Sequence, residues 1–256
     1  MPEACLVLRL AGPLQSWGST GRFNRRETDD RPTKSGVVGL LAAAAGRRRG
    51  EPIADLVALS MGVRVDEPGT VLRDFHTVSD YRGVPLLKAS TNKSGRQETT
   101  SPKKFTHVTT RYYLQDATFV VALGGDVDLL TGLAGAVRRP GFPLSLGRRS
   151  CVPTQPILLP SDAGPLWDGA VADVLREVPW QASSGWRKRC GEGARVPVTV
   201  DAGATSGGVP DRVADVPLGF APLERGMTTR EVRHDWVDVG SKDASRAHDP
   251  FSLLGW

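Results

Sequence analysis

Cysteine is scarce: Cys5, Cys151 and Cys190 lie far apart in 256 residues, with no CxxC and no Cys/His pairing. That excludes a zinc ribbon or a disulfide framework, and each cysteine reads as a small buried hydrophobe of a protein kept in a reducing compartment. Long apolar runs are missing too. The longest, Val37 to Ala45, contains Gly39 and falls well short of the ~20 residues of a membrane-spanning helix. Met1-Pro2-Glu3 offers no basic n-region and Arg9 breaks the apolar run that follows. No secretory signal and no membrane partner are therefore expected, and a cytoplasmic location is. There is no Walker A loop, HExxH, GxSxG or paired-carboxylate motif, which leaves a phosphotransferase or hydrolase without support. Asp29-Asp30 are adjacent rather than face-matched and read as a solvated loop. No internal repeat is visible.

What is present is ordinary globular material, 39% hydrophobic and 24% charged, with a net charge of +5. The charge is uneven: residues 1–152 carry 22 basic and 14 acidic side chains, residues 153–256 carry 11 and 14. Of the 33 basic residues 26 are arginine, whose planar fork pairs bidentately with phosphate and stacks on bases. A GC-rich coding bias toward arginine competes with that reading.

Residues 1–152 alternate strand and helix patterns. Cys5 to Leu10 reads as a strand closed by Ala11-Gly12-Pro13; Val37 to Ala45 as a helix stopped by Gly46; Met61 to Val65 and Val71 to Val78 as strands joined at Glu67-Pro68-Gly69. Thr109 to Leu114 and Ala117 to Leu123 read as a further strand pair. Val127 to Arg138 reads as a helix ended by Pro140-Gly141, and Leu144-Ser145-Leu146 as the start of a last strand. Setting aside the extra pair, the order is an α+β, ferredoxin-like βαββαβ domain, RRM-like in leaving one sheet face open. Residues 79–110 interrupt it with six basic and two acidic side chains. They read as a projecting β-hairpin with Lys88, Lys93, Arg96, Lys103 and Lys104 exposed. Residues 153–256 read as a smaller, irregular β-rich lobe, with a tail docked through Phe251, Leu253, Leu254 and Trp256.

Four segments carry chemistry. In Gly12-Pro13-Leu14-Gln15-Ser16-Trp17-Gly18, Trp17 supplies a stacking plane and Gln15 a base-reading amide, or else a turn tucks Trp17 into the core. Arg31-Pro32-Thr33-Lys34-Ser35-Gly36 opens a helix, where amides, dipole and Lys34 suit phosphate and Arg25 and Arg26 extend the site. A plain N-cap by Thr33 or Ser35 is the alternative. Around Gly147-Arg148-Arg149-Ser150-Cys151, four arginines fall between Arg138 and Arg149 with no acid among them. Asp74-Phe75-His76-Thr77-Val78 ends a strand at the base of the hairpin.

These motifs, with Arg111-Tyr112-Tyr113-Leu114-Gln115-Asp116-Ala117 between the last two in order, together resemble the Cas-five family of CRISPR-associated proteins, in the form found in the type I-E Cascade surveillance complex. The resemblance spans residues 5 to about 155. It implies a RAMP-type RNA-binding fold with a thumb at 79–110, acting in antiviral defence as a non-catalytic ribonucleoprotein subunit without metal or cofactor. Implied partners are the 5′ handle of crRNA, a Cas-seven-family backbone subunit CasC, the large subunit CasA, and, indirectly, other Cascade subunits and target DNA. The handle would meet Gln15, Ser16, Trp17, Gly18, Arg25, Arg26, Lys34, Ser35, Arg111, Gly147, Arg148, Arg149 and Ser150. The rival is a metal-independent repeat endoribonuclease that draws acid and base from His76, His107, Tyr112 and Lys104.

Overall fold

The computed structural model describes residues 3–18, 24–80, 82–191, 193–203, 209–221 and 226–240; the expected docking of the tail lies outside them. In chain order the elements are β1 (Ala4–Ala11), β2 (Leu14–Gln15), β3 (Arg25–Arg26), α1 (Lys34–Ala44), α2 (Ala54–Ala58), β4 (Ser60–Glu67), β5 (Thr70–Ser79), β6 (Leu87–Thr91), β7 (Gln97–Thr99), β8 (Thr106–Gln115), β9 (Thr118–Gly124), α3 (Val127–Arg138), β10 (Trp167–Asp168), α4 (Val171–Glu177), α5 (Ser184–Cys190), β11 (Gly193–Asp201), β12 (Asp211–Gly219) and β13 (Gly226–Gly240).

The apolar strands collect in one seven-stranded sheet of order β10-β1-β9-β4-β11-β13-β12, antiparallel at every pairing. Side chains alternate across it, as the strand period requires. Leu6, Leu8, Leu10, Phe119, Val121 and Leu123 meet α1 and α3 through Val37, Leu41, Leu130 and Leu133. Cys5, Val7, Val120 and Ala122 face the other way and are covered by Val174, Leu175, Val178, Trp180 and Ala182. The sheet face expected to stand open is therefore closed, by residues C-terminal to 153. Arg64 pins that cover down: fully buried, it pairs with Asp66 at 2.6 Å and donates to the carbonyls of Leu175, Val178 and Pro179.

The helix over 127–138 stands as expected, capped by Asp126, whose carboxylate accepts from the Leu129 amide at 2.9 Å. Three other expectations change. Leu144–Leu146 form no strand: the Leu146 amide donates to Cys151 O within a turn. The edge of β1 is taken instead by residues 157–159, through Arg9 N to Ile157 O and Leu159 N to Val7 O, and by β10. β8 and β9, expected as a pair, belong to different sheets; Asp116 between them turns the chain at φ 56°, a conformation that aspartate tolerates better than most residues. The boundary expected at residue 152 crosses a continuous sheet, since β11 pairs with β4, Val198 opposite Arg64.

Strand pairing around residues 79–110 runs further than their composition suggested. β5 and β8 pair from Thr70↔Gln115 to Ser79↔Thr106, and β6 and β7 add a second small sheet beyond. Gly69 (φ 68°) starts this ribbon at a point where a Cβ would stand 2.3 Å from Gln115 O, so only glycine fits. Lys93, Arg96, Lys103 and Lys104 are exposed on it, while half-buried Lys88 pairs with Glu98 at 3.4 Å.

Candidate nucleic-acid interface

At the foot of the ribbon lies a cavity of about 270 Å³. Ser16, Trp17 and Gly18 from the first motif line it, with Thr33, Ser35 and Gly36 from the second and Gly147 and Arg148 from the third; Arg26 and Glu27 complete the wall. Close backbone approach makes this possible. Gly147 has φ 89°, and a Cβ there would sit 1.8 Å from Ser16 O. Gly36 lies against Trp17, whose ring carbon would be 2.7 Å from a Cβ.

Inside this frame Gln15 and Trp17 are buried and hold the turn together. Gln15 Nε2 donates to the carbonyls of Leu10 (3.0 Å) and Ala117 (2.7 Å), and its Oε1 accepts from Trp17 Nε1 at 3.1 Å. Of the two readings of this motif the structure takes the turn that tucks Trp17 into the core, and the base-reading amide expected of Gln15 is corrected: both side chains are occupied within the fold. Ser16 is buried as well, its hydroxyl 3.3 Å from Tyr112 O. Gly18 is exposed at the rim.

Lys34 also departs from expectation. It is buried, and its ammonium pairs with Asp201 at 3.3 Å while its amide donates to Asp215 at 2.8 Å. Arg230 joins the same group, bidentate to Asp215 at 2.7 and 2.9 Å and bonded to Asp201. The lysine ties α1 to the C-terminal strands rather than facing the cavity. The signal missed was the acids that neutralise it, which lie far along the chain. Thr33 takes the N-cap role, accepting from Gly36 N at 3.2 Å, and Ser35 is the residue of this motif left half-exposed in the wall.

Positive charge at the site comes from arginines. Arg148 stacks 4.7 Å from the Tyr113 centroid and donates to Tyr112 O (3.0 Å) and Arg26 O (2.9 Å), bracing β8 against β3. Arg26 and Arg111 are register partners. Partial burial, then the charges of Arg111 and Arg148, pull the Arg26 guanidinium below its ordinary pKa, the mark of like charges held together. Arg111 Nε is buried without a hydrogen-bond partner among the described residues; such a donor carries a desolvation cost that an incoming anion would relieve. Arg25 is exposed, paired with Glu27 at 2.8 Å and 5.3 Å from the Tyr112 centroid; Arg149 and Ser150 are exposed on the adjoining turn. Asp74 sits opposite Arg111, with the His76 ring 3.8 Å from its carboxylate. Among the described residues no cluster of three potential metal ligands occurs.

The geometry defines a cation-lined cavity, at the base of a β-ribbon, suited to an anionic strand. The family described as CRISPR-associated protein (Cas_Cas5) matches residues 5–233, and the chain belongs to that family. It is 39% identical over 173 residues to the CRISPR system Cascade subunit CasD of Escherichia coli (strain K12), covering 60% of this chain and 69% of that one. A solved CRISPR RNA-guided surveillance complex contains a chain with a TM-score of 0.69 at 33% identity, covering 93% of this chain and 91% of its own. A structure described as a Cas protein gives 0.64 at 35% identity, covering 91% and 94%.

Proposed function

We propose that this chain is a non-catalytic subunit of a type I-E Cascade complex that holds the 5′ handle of crRNA in the cavity at the ribbon's foot. The observation that carries the reading is the meeting of three separate sequence motifs in one cavity, beside Arg26, Arg111 and Arg148. Phosphates would lie against these arginines, and the bases would run past Gly18, Ser35 and the Gly147 turn. The strands β1, β9 and β4 with α1 and α3 form the ferredoxin-like half. The ribbon is the thumb, which presents Phe75, Val71 and Val108, all exposed, to the CasC-type backbone subunit; CasA and the target DNA lie further along the assembly. The strands after residue 153 form the smaller β-rich part.

Incubating the purified chain with repeat RNA in EDTA tests the reading. RNA should be bound and recovered whole, and Arg111→Ala should weaken binding. Discrete cleavage that disappears in His76→Ala or His107→Ala would replace the scaffold with a nuclease. Deleting 88–104 should impair assembly with the backbone subunit and leave the core folded.

A further inference from the structure

A second cavity, of about 450 Å³, lies across the Arg31–Thr33 turn from the first, and Thr33 lines both. Its walls come from that turn and from the C-terminal strands, chiefly Asp30, Arg31, Thr199, Asp215, Arg230 and His234. Arg31 reaches Thr199 and lies 3.4 Å from His234 Nδ1, which is itself 2.8 Å from the Thr199 hydroxyl. Asp30 holds Arg31 by two bonds of 2.9 Å, and Asp215 holds Arg230. The wall's three aspartates, Asp29, Asp30 and Asp215, thus stand against two arginines, Arg31 and Arg230, and its charges nearly balance. A phosphate would meet aspartates and an isolated cation would meet arginines, whereas an uncharged ring with donors and acceptors on its edge is opposed by neither.

His234 and Trp236 lie two residues apart on β13 and so share a face, opposite the face on which Val237 and Val239 are buried. Trp236 is 54% exposed, and exposed Arg195 stands 5.9 Å from its ring centroid. A broad exposed aromatic ring beside an arginine, next to a polar cavity whose charges nearly balance, is what unpaired nucleotides use: one base stacks and the next has its edge read.

We propose that the handle strand continues over Pro32–Thr33 into this second cavity, where one base is received between Arg31 and His234 and its neighbour stacks on Trp236. This rests on the reading of the first cavity as the handle site. The charge match of the walls and the shared Thr33 argue for the same RNA rather than a protein side chain.

The test uses the full chain and a fluorescein-labelled single-stranded RNA of the repeat-derived handle, with variants carrying one abasic residue at successive positions. Trp236→Ala should weaken intact RNA roughly tenfold, Trp236→Phe should restore most of it, and one abasic position should abolish the difference between wild type and Trp236→Ala. Trp236 is exposed, so its truncation leaves the fold unchanged by thermal melting. If Arg111→Ala weakens binding while Trp236→Ala and His234→Ala do not, the second site is wrong and the first stands. If none of the three weakens binding, both fall. If Trp236→Ala leaves RNA affinity intact but disrupts assembly with a partner subunit, this face docks protein and the proposal is overturned.

Discussion

β9 and β5 are both strands rich in β-branched and aromatic residues, yet they live in opposite surroundings. All seven residues of β9 are buried, with β1 on one side, β4 on the other and packing layers on both faces. None of the ten residues of β5 is buried, and among the described residues its one strand neighbour is β8. Intrinsic preference does not separate the two; the number of partners does. β5 and β8 belong to a four-stranded sheet in which β2 and β3 flank β8 only between residues 110 and 115; beyond them two strands remain, a width that is marginal in water by itself, and the pair carries Phe75 and Val71 outward, as a surface awaiting a partner does. The central strands are built for burial; the ribbon leaves apolar side chains exposed.

Substitutions in the two regions can break that contrast. The largest effect belongs to Asp66→Ala, which strands the fully buried Arg64 without its counterion. About 3–5 kcal/mol of stability should go, and Tm should fall on the order of 10 °C; a loss under 1 kcal/mol would mean that water reaches the pair. Phenylalanine allows a like-for-like comparison. Phe119→Ala (0% exposed) should cost about 3–5 kcal/mol, while Phe75→Ala (68% exposed) should change stability by no more than about 0.5 kcal/mol and weaken assembly with the backbone subunit instead. Equal melting losses in urea would erase the distinction.

Between these regions lies the cavity. Gly147→Ala drives a Cβ into Ser16 O and should open the wall, lowering handle affinity more than Arg111→Ala does. Arg111→Ala should also flatten the dependence of log affinity on log salt by about 0.7. An unchanged slope would mean that Arg111 meets no phosphate.

The readable parts of this chain were those whose pattern is local. The α3 helix has its cap at Asp126, its apolar stripe and its Pro140 stop within one short stretch. What was hidden depends on residues far away. Lys34 has the look of a phosphate ligand until Asp201 and Asp215 are brought beside it. Trp17 reads as either a stacking plane or a tucked-in ring until Gly36 packs on it and Gln15 takes its N–H. The closed second face was unreadable for the same reason: Val174 lies on the short helix α4 and Trp180 on the irregular chain after it, and Arg64, more than a hundred residues earlier, holds the carbonyls of Leu175 and Val178 beside them.

The smallest expected effect concerns the cysteines, and it sharpens the comparison of buried with exposed chain. Burial first, then the charge of Glu3, pushes the Cys5 thiol up to about 11, and its Sγ donates to Gly169 O at 3.3 Å; burial raises Cys151 as well. The thiolate is the reactive form, so near neutral pH maleimide should label exposed Cys190 and reach the other two only after denaturation. The linkage has a definite sign. Because folding raises the Cys5 pKa above its ordinary 9.0, the folded chain keeps a proton that the unfolded chain gives up. Its contribution is therefore whole below pH 9.0 and is lost as pH climbs through about 11. Cys5→Ala should remove that part of the alkaline decline in Tm. Prompt labelling of Cys5 in the folded chain would show instead that β10 opens away from β1, and that this edge belongs with the ribbon rather than with the core.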